Sequence, residues 1–300
     1  MSSAFGARIN ASFPNQPIMG FSLQLAVEVE RNVLAALAED IGGGDLTALL
    51  TPSGRVSRGL VVSREEAILC GSAWFDACFH RLDAGARITW HAKDGERISA
   101  GQTLCEVNAD TRALLSAERT ALNFLQLLSG TATATRLYVD SISGTAAHIV
   151  DTRKTLPGLR LAQKYAVRTG GGHNHRLGLY DGILIKENHI LAAGGIRPAR
   201  AQARQLAHGS VFIQTEVETL EQLLEALDCG AKMILLDNMT LAQMREAVAI
   251  NAGRAELEAS GGINLERVRA IAETGVHRIS IGGLTKDVRA VDLSLRHVER

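Results

Sequence analysis

From residue 145 or so onward, the chain alternates short apolar runs with amphipathic stretches of helical period. The runs are AHIVDT, GILIKE, VFIQTEV, KMILLDN, LEASGG and RISIGG, and the stretches include TLEQLLEALDCG, TLAQMREAVAI and NLERVRAIAETG. Few architectures accept this pattern, because each crossover returns the chain in the same direction and builds a parallel sheet. A second regularity narrows the choice. Nearly every run ends in a polar residue or glycine: Asp151 to Lys154, Lys186, Glu216, Asp237, Ser260 to Gly262, and Gly282-Gly283. In a βα-barrel the C-terminal strand ends converge on one face, whereas an open doubly wound sheet concentrates chemistry at one switch point. Chemistry at six strand ends therefore predicts a barrel. Six runs, or seven with the GGHNH region, fall short of the usual eight, so the barrel is expected to be incomplete. The first and third helices are expected to end at Gly230 and Gly275.

The earlier part of the chain has another texture. Residues 22–40 carry helical apolar spacing at Leu25, Val29, Val33, Leu34 and Leu37, with Ser22 as N-cap and Gly42 to Gly44 as breakers. Residues 56–110 hold alternating runs (RGLVVS, RITWHA, GQTLCEV) separated by Asp94-Gly95 and Ala100-Gly101, which predicts strands joined by turns. Residues 112–129 return to a helical pattern, with Gly130 as its expected C-cap.

Composition excludes several roles. A formal net charge of +0 argues against general binding to nucleic acid or membrane surfaces, and 4% aromatic residues leave no base-stacking platform. Cys70, Cys78, Cys105 and Cys229 form no CxxC and match no zinc spacing, which fits reduced thiols in the cytoplasm. No apolar run is long enough to span a bilayer. The opening MSSAFGARINASFPNQPIMG lacks a charged segment before an apolar block and reads as a loose arm rather than a signal peptide.

Positive charge and glycine gather between Asp151 and His189, in DTRKTLPGLRLAQKYAVRTGGGHNHRLGLYDGILIKENH. Such clusters suit a small, multiply anionic ligand. At a strand exit, Arg153 offers a planar fork for a carboxylate and Lys154 a point charge; the plain alternative is a solvated turn. Lys186 ends the apolar run ILIK, so it either snorkels or functions. Gly170 to Gly172 precede His173, Asn174, His175 and Arg176. Here the glycines either open backbone N–H groups to a ligand or form a flexible loop, and zinc binding by His173 and His175 is a weaker third reading. Glu216 and Asp237 can hold Mg²⁺ with a phosphorylated substrate, stabilise a developing cation, or pair with the nearby lysines and arginines. Ser260-Gly261-Gly262 and Ile281-Gly282-Gly283 resemble the phosphate cradle of a barrel, with simple helix-start turns as the alternative. A helix after Pro157 is expected to carry Arg160, Lys164 and Arg168 facing outward.

The long Asp151–His189 segment closely resembles the core signature of the quinolinate phosphoribosyltransferase family. The resemblance continues in EDIGGGDLT, AERTALNFLQLLSGTAT, TEVE, LLDNM, SGGI and SIGGLT, in family order over most of the chain. It implies an α/β fold with an N-terminal α/β sandwich over residues 1–129. A seven-stranded, incomplete TIM-like α/β barrel would follow over 130–300, its last helix packing back on the first domain. It implies transfer of phosphoribosyl from phosphoribosyl pyrophosphate to quinolinate, with loss of CO2 and with Mg²⁺. Quinolinate would meet Thr152, Arg153, Lys154, His175, Arg176 and Lys186, with Arg119 arriving from the neighbouring subunit of a homodimer. Lys154, Lys186, Glu216 and Asp237 would be the catalytic groups, Glu216 and Asp237 facing ribose and metal. Ser260, Gly261, Gly262, Ile281, Gly282 and Gly283 would hold the 5′-phosphate. The rivals are a related barrel transferase of different substrate, a Schiff-base aldolase using Lys186, and a phosphosugar-binding barrel without turnover.

Overall fold

A computed structural model of the chain describes residues 18–52 and 54–298, with side chains from Gln24 onward. The expected N-terminal arm lies outside these residues, apart from its last three, which begin the first helix. The first part runs α1 (Ile18–Ile41), β1 (Val56–Ser63), β2 (Ala67–Ile68), α2 (Ser72–Leu82), β3 (Arg87–Trp90), β4 (Arg97–Ile98), β5 (Thr103–Asp110) and α3 (Thr111–Ser141). Helix α1 begins before Ser22, which is therefore not its N-cap. Helix α2 was not apparent among the strands expected over residues 56–110. Its buried Trp74, Phe75, Cys78 and Phe79 recur at helical spacing, and that was the available signal. These side chains share one buried core with Leu104 of β5 and with Leu114 and Leu125 of α3. Burying each large apolar side chain stabilises the fold by about 2 kcal/mol.

Asp110 caps α3, its Oδ1 accepting from the N–H groups of Arg112 and Ala113 at 2.9 and 3.4 Å. The helix does not stop at Gly130 as expected but continues to Ser141. Gly130 serves a close crossing instead: a Cβ there would lie 2.2 Å from the Arg289 carbonyl oxygen. The second half of α3 then packs on the barrel, so one helix belongs to both cores.

The barrel follows: β6 (His148–Val150), α4 (Arg160–Thr169), β7 (Gly182–Ile185), α5 (Glu187–Ala193), α6 (Ile196–Leu206), β8 (Phe212–Val217), α7 (Leu220–Asp228), β9 (Met233–Asp237), α8 (Leu241–Asn251), β10 (Glu256–Ser260), α9 (Leu265–Ala272), β11 (Arg278–Ser280) and α10 (Gly283–Lys286). Its strands pair in parallel in the order β6-β11-β10-β9-β8-β7. The seventh position is a single bridge, with His173 N–H donating to Ile149 O at 2.8 Å and Asp151 N–H to His173 O at 3.0 Å. Gly230 and Gly275 follow α7 and α9 with φ of 70° and 93°, the left-handed values such helix ends favour.

Past the barrel, the expected closing helix is a strand, β12 (Leu293–Val298). It pairs antiparallel with β1 and completes the first sheet, in the order β12-β1-β5-β3. The alternation of buried Leu293 and Leu295 is the period of a strand with one face on a core.

Candidate active site

Parallel strands open all their C-terminal ends on one face. There the structure brings together Thr152, Arg153 and Lys154 after β6, Lys186 after β7, Glu216 near the end of β8, Asp237 ending β9, Ser260 ending β10, and Ile281 to Gly283 after β11. Ser260 lies in register with Asp237. Glu216 sits opposite Leu235, two residues before Asp237 on the adjacent strand.

The cations are held in different ways. Lys186 Nζ donates to Glu216 Oε2 at 2.7 Å. Arg153 Nε is buried without a hydrogen-bond partner among the described residues. One Arg176 nitrogen donates to Gly182 O at 3.0 Å. Burial, and then the nearby Arg153, lower the Arg176 pKa, against the pull of Asp181. The Lys154 N–H donates to Thr152 Oγ1 at 3.0 Å, and Thr285 Oγ1 donates to Lys154 O at 2.8 Å. Its side chain passes over Gly282, where a Cβ would lie 2.9 Å from Lys154 Cδ.

The glycine turns divide into two kinds. Gly261 has φ 107°, and a Cβ on it would come 2.1 Å from Asn238 Oδ1. The gap lets Asn238 fold in and donate to Asp237 Oδ2 at 2.7 Å. The N–H groups of Gly261, Gly262 and Gly282 have no acceptor among the described residues, as a phosphate cradle requires. Gly170 to Gly172 differ. Their N–H groups donate to Ala166, Arg168 and Val167 at the end of α4, so they are not open to a ligand. A Cβ on Gly170 would lie 2.5 Å from Ala132 O, and one on Gly172 2.8 Å from Thr135 Cγ2. This triplet is a packing joint against α3.

Beyond that joint, the loop hangs on a buried carboxylate. Asp151 Oδ1 accepts from the His175 N–H at 2.8 Å, and Oδ2 from Asn174 Nδ2 at 2.5 Å. Lys164 Nζ pairs with Asp151 Oδ1 and donates to His175 O at 3.0 Å. Lys164 therefore does not face outward as expected; its side chain is 0% exposed, as is that of Asp151. Burial lowers its pKa and Asp151 opposes that shift. Arg160 turns back to Thr155 Oγ1 and Leu177 O, and only Arg168 of the three is exposed. His175 and Arg176 leave the loop in opposite roles. The His175 ring, 8% exposed, turns into the barrel toward Gln214 at 2.7 Å.

Arg119 stands apart from this face. It is exposed on α3 and makes no hydrogen bond or ion pair among the described residues. Its helical neighbours Ser116 and Thr120 bond to Asp45 and Asp40 at 2.7 and 3.3 Å, beside the exposed Leu46, Leu49 and Leu50. No cluster of metal-binding side chains large enough to hold an ion alone occurs among the described residues, so His173 and His175 form no zinc site.

Comparison with known proteins shows the family. The family described as "Quinolinate phosphoribosyl transferase, N-terminal domain" matches residues 45–129, and the corresponding C-terminal domain matches residues 131–296. The chain belongs to the quinolinate phosphoribosyltransferase family. It is 45% identical over 257 residues to the "Probable nicotinate-nucleotide pyrophosphorylase [carboxylating]" of Bacillus subtilis, covering 86% of this chain and 89% of that protein. It is 44% identical to the nicotinate-nucleotide pyrophosphorylase [carboxylating] of Mycobacterium leprae, covering 87% and 94%. The solved structure of the nicotinate-nucleotide pyrophosphorylase from Francisella tularensis superposes with a TM-score of 0.88 at 44% identity, over 91% of this chain and 97% of that one.

In this quinolinate phosphoribosyltransferase family member the interior below the mouth is polar, which the sequence reading missed. Gln214, Glu258 and Arg278 are buried there, two residues before Glu216, Ser260 and Ser280 on their strands. That interval was the available signal, because strand residues two apart share a face.

Proposed function

We infer that the chain transfers phosphoribosyl from phosphoribosyl pyrophosphate to quinolinate with decarboxylation, giving nicotinate mononucleotide, pyrophosphate and CO2. The observation that carries this reading is the convergence of Arg153, Lys154 and Lys186 with Glu216 and Asp237 on one barrel face, with Arg176 near enough to Arg153 for their charges to repel. A dianionic ring acid needs at least two cationic clamps, and the guanidinium groups of Arg153 and Arg176 supply forks for them. Thr152 and Lys154 flank the same exit. Ser260 to Gly262 and Ile281 to Gly283 hold the 5′-phosphate, with the free N–H groups of Gly261, Gly262 and Gly282 as donors.

Departure of pyrophosphate leaves positive charge on the ribose, and Glu216 and Asp237 are the carboxylates placed to stabilise it. Lys186, drawn to Glu216 at 2.7 Å, exchanges that partner for the substrate. Ribosylation makes the ring nitrogen cationic, so the carbanion left by CO2 has its electron sink in the substrate. No nucleophilic side chain is needed, and catalysis is positioning plus electrostatics. This chemistry sets aside a Schiff base on Lys186.

Two oxygen donors from Glu216 and Asp237 are too few for a protein cage, but they suit Mg²⁺, which takes its remaining ligands from substrate phosphates and water. The ion would neutralise charge on the departing pyrophosphate. Arg119 serves the neighbouring mouth in a homodimer, and its exposure on α3 beside Leu46, Leu49 and Leu50 supports that role. The four buried, unpaired cysteines suit a reducing compartment such as the cytoplasm.

The deciding assay is quinolinate-dependent release of CO2 by the purified protein. Release is expected only with phosphoribosyl pyrophosphate and Mg²⁺ both present, and folded protein that releases none overturns the assignment.

A further inference from the structure

Both ring nitrogens of His175 are engaged within the chain. Nδ1 lies 2.8 Å from the Arg176 backbone N–H, and Nε2 lies 2.7 Å from Gln214 Oε1. Gln214 Nε2 in turn donates to Glu258 Oε2 at 3.1 Å, and Arg278 Nε donates to that same oxygen at 2.9 Å. The chain of bonds thus crosses from β11 to β10 to β8 and ends at the loop beneath the mouth.

One end dictates the direction of every donor. A guanidinium can only donate, and the carboxylate facing it can only accept. Gln214 must therefore turn its amide NH2 to Glu258 and its oxygen to His175. An amide oxygen only accepts, so His175 must carry its hydrogen on Nε2, leaving Nδ1 bare. A bare Nδ1 is what the Arg176 N–H requires. Protonated His175 would set two donors against each other there. Burial works in the same direction and holds the imidazolium below its ordinary pKa, against the pull of Glu258 Oε2, 3.8 Å from Nε2. The other groups facing the ring are Phe212, whose ring stacks edge-on at 5.4 Å, and Lys164, which anchors the His175 carbonyl.

We propose that Glu258 and Gln214 are positioning residues for the substrate clamp: they fix the His175 tautomer, which holds the Arg176 backbone and so sets the direction of its guanidinium. His175 then acts from beneath the clamp and does not touch the substrate, unlike the role expected from the sequence. The proposal rests on the quinolinate reading of the mouth.

Long-range imidazole 1H–15N correlation on 15N-histidine protein tests the tautomer without any turnover. The signal lost in His175→Gln identifies the residue. We expect the Nε2–H form from about pH 6 to about pH 9, with no titration. Glu258→Met removes the obligate acceptor and should give a tautomer mixture. Its KM for quinolinate should rise about tenfold, with KM for phosphoribosyl pyrophosphate unchanged. The exchanged pair Gln214→Glu with Glu258→Gln restores the donor order, and at about pH 8 should restore both tautomer and KM. An Nδ1–H or protonated His175 in the unaltered protein overturns the proposal, as does Glu258→Met with unchanged tautomer and KM. If the unaltered protein releases no CO2 from quinolinate, the functional reading falls while the tautomer measurement still decides the relay.

Discussion

Two lysines of the Asp151–His189 segment each pair with a carboxylate, and the two pairs have opposite characters. Lys186 and Glu216 meet at the mouth with side chains 49% and 11% exposed, while Lys164 and Asp151 meet where both are 0% exposed. At the mouth the solvent screens the attraction, the pair gains little, and either member can change partners. Below it, neither charge has an alternative, and Asp151 also gathers the N–H of His175 and the amide of Asn174. The same two functional groups make a replaceable contact in one place and a joint in the other. Burial, not residue type, separates ligand-handling charge from structural charge.

The comparison breaks most easily at the buried pair. Lys164→Met should cost about 3–5 kcal/mol in denaturant unfolding, because Asp151 stays buried without its counter-charge. Stability equal to that of the unaltered protein would remove the distinction. The mouth pair should respond the other way. Lys186→Ala is expected to weaken quinolinate binding by about one to three kcal/mol in calorimetry, with unfolding free energy changed by less than about 1 kcal/mol. A large stability loss there would make it a second structural joint.

Arg119 probes the same division at longer range. Mixing inactive Arg119→Ala with inactive Lys186→Ala subunits should restore partial activity, since each hybrid dimer holds one intact mouth. No restoration, with subunit exchange confirmed, places Arg119 in its own chain's chemistry.

The smallest effect is with acid. Burial depresses the pKa of His175 and of His277. The unfolded chain binds their protons first, so their contribution is fully present above about pH 6.5 and is lost as pH falls toward the lower folded values. Unfolding free energy should decline from neutral to mildly acidic pH, and His175→Gln should flatten part of that slope. A slope unchanged in the variant would separate His175 from the acid response.

The strand ends were legible because each apolar run is short and stops at a polar residue or glycine, a purely local pattern. The mouth followed from it, since parallel strands carry their ends to one face. What was not legible depends on who crosses whom. Gly130 looks like a helix stop until the Arg289 carbonyl is found against it, and Gly170 to Gly172 look like a ligand cradle until Thr135 and Ala132 are found beside them. Lys164 reads as a surface lysine, because nothing near it in sequence announces that Asp151 is buried alongside. The resemblance named the expected clamp residues but said nothing of Gln214 or Glu258, whose partners lie on other strands.

The pairing of β12 with β1 has a consequence for synthesis. A chain leaving the ribosome would expose β1 with one edge bare through the making of the entire barrel, because Leu293–Val298 arrives some 230 residues after β1 ends at Ser63. Unpaired edges invite pairing with other chains. The nascent first domain is thus a period of vulnerability, closed when β12 docks, and a temporary cover over β1 by a chaperone would protect it until then.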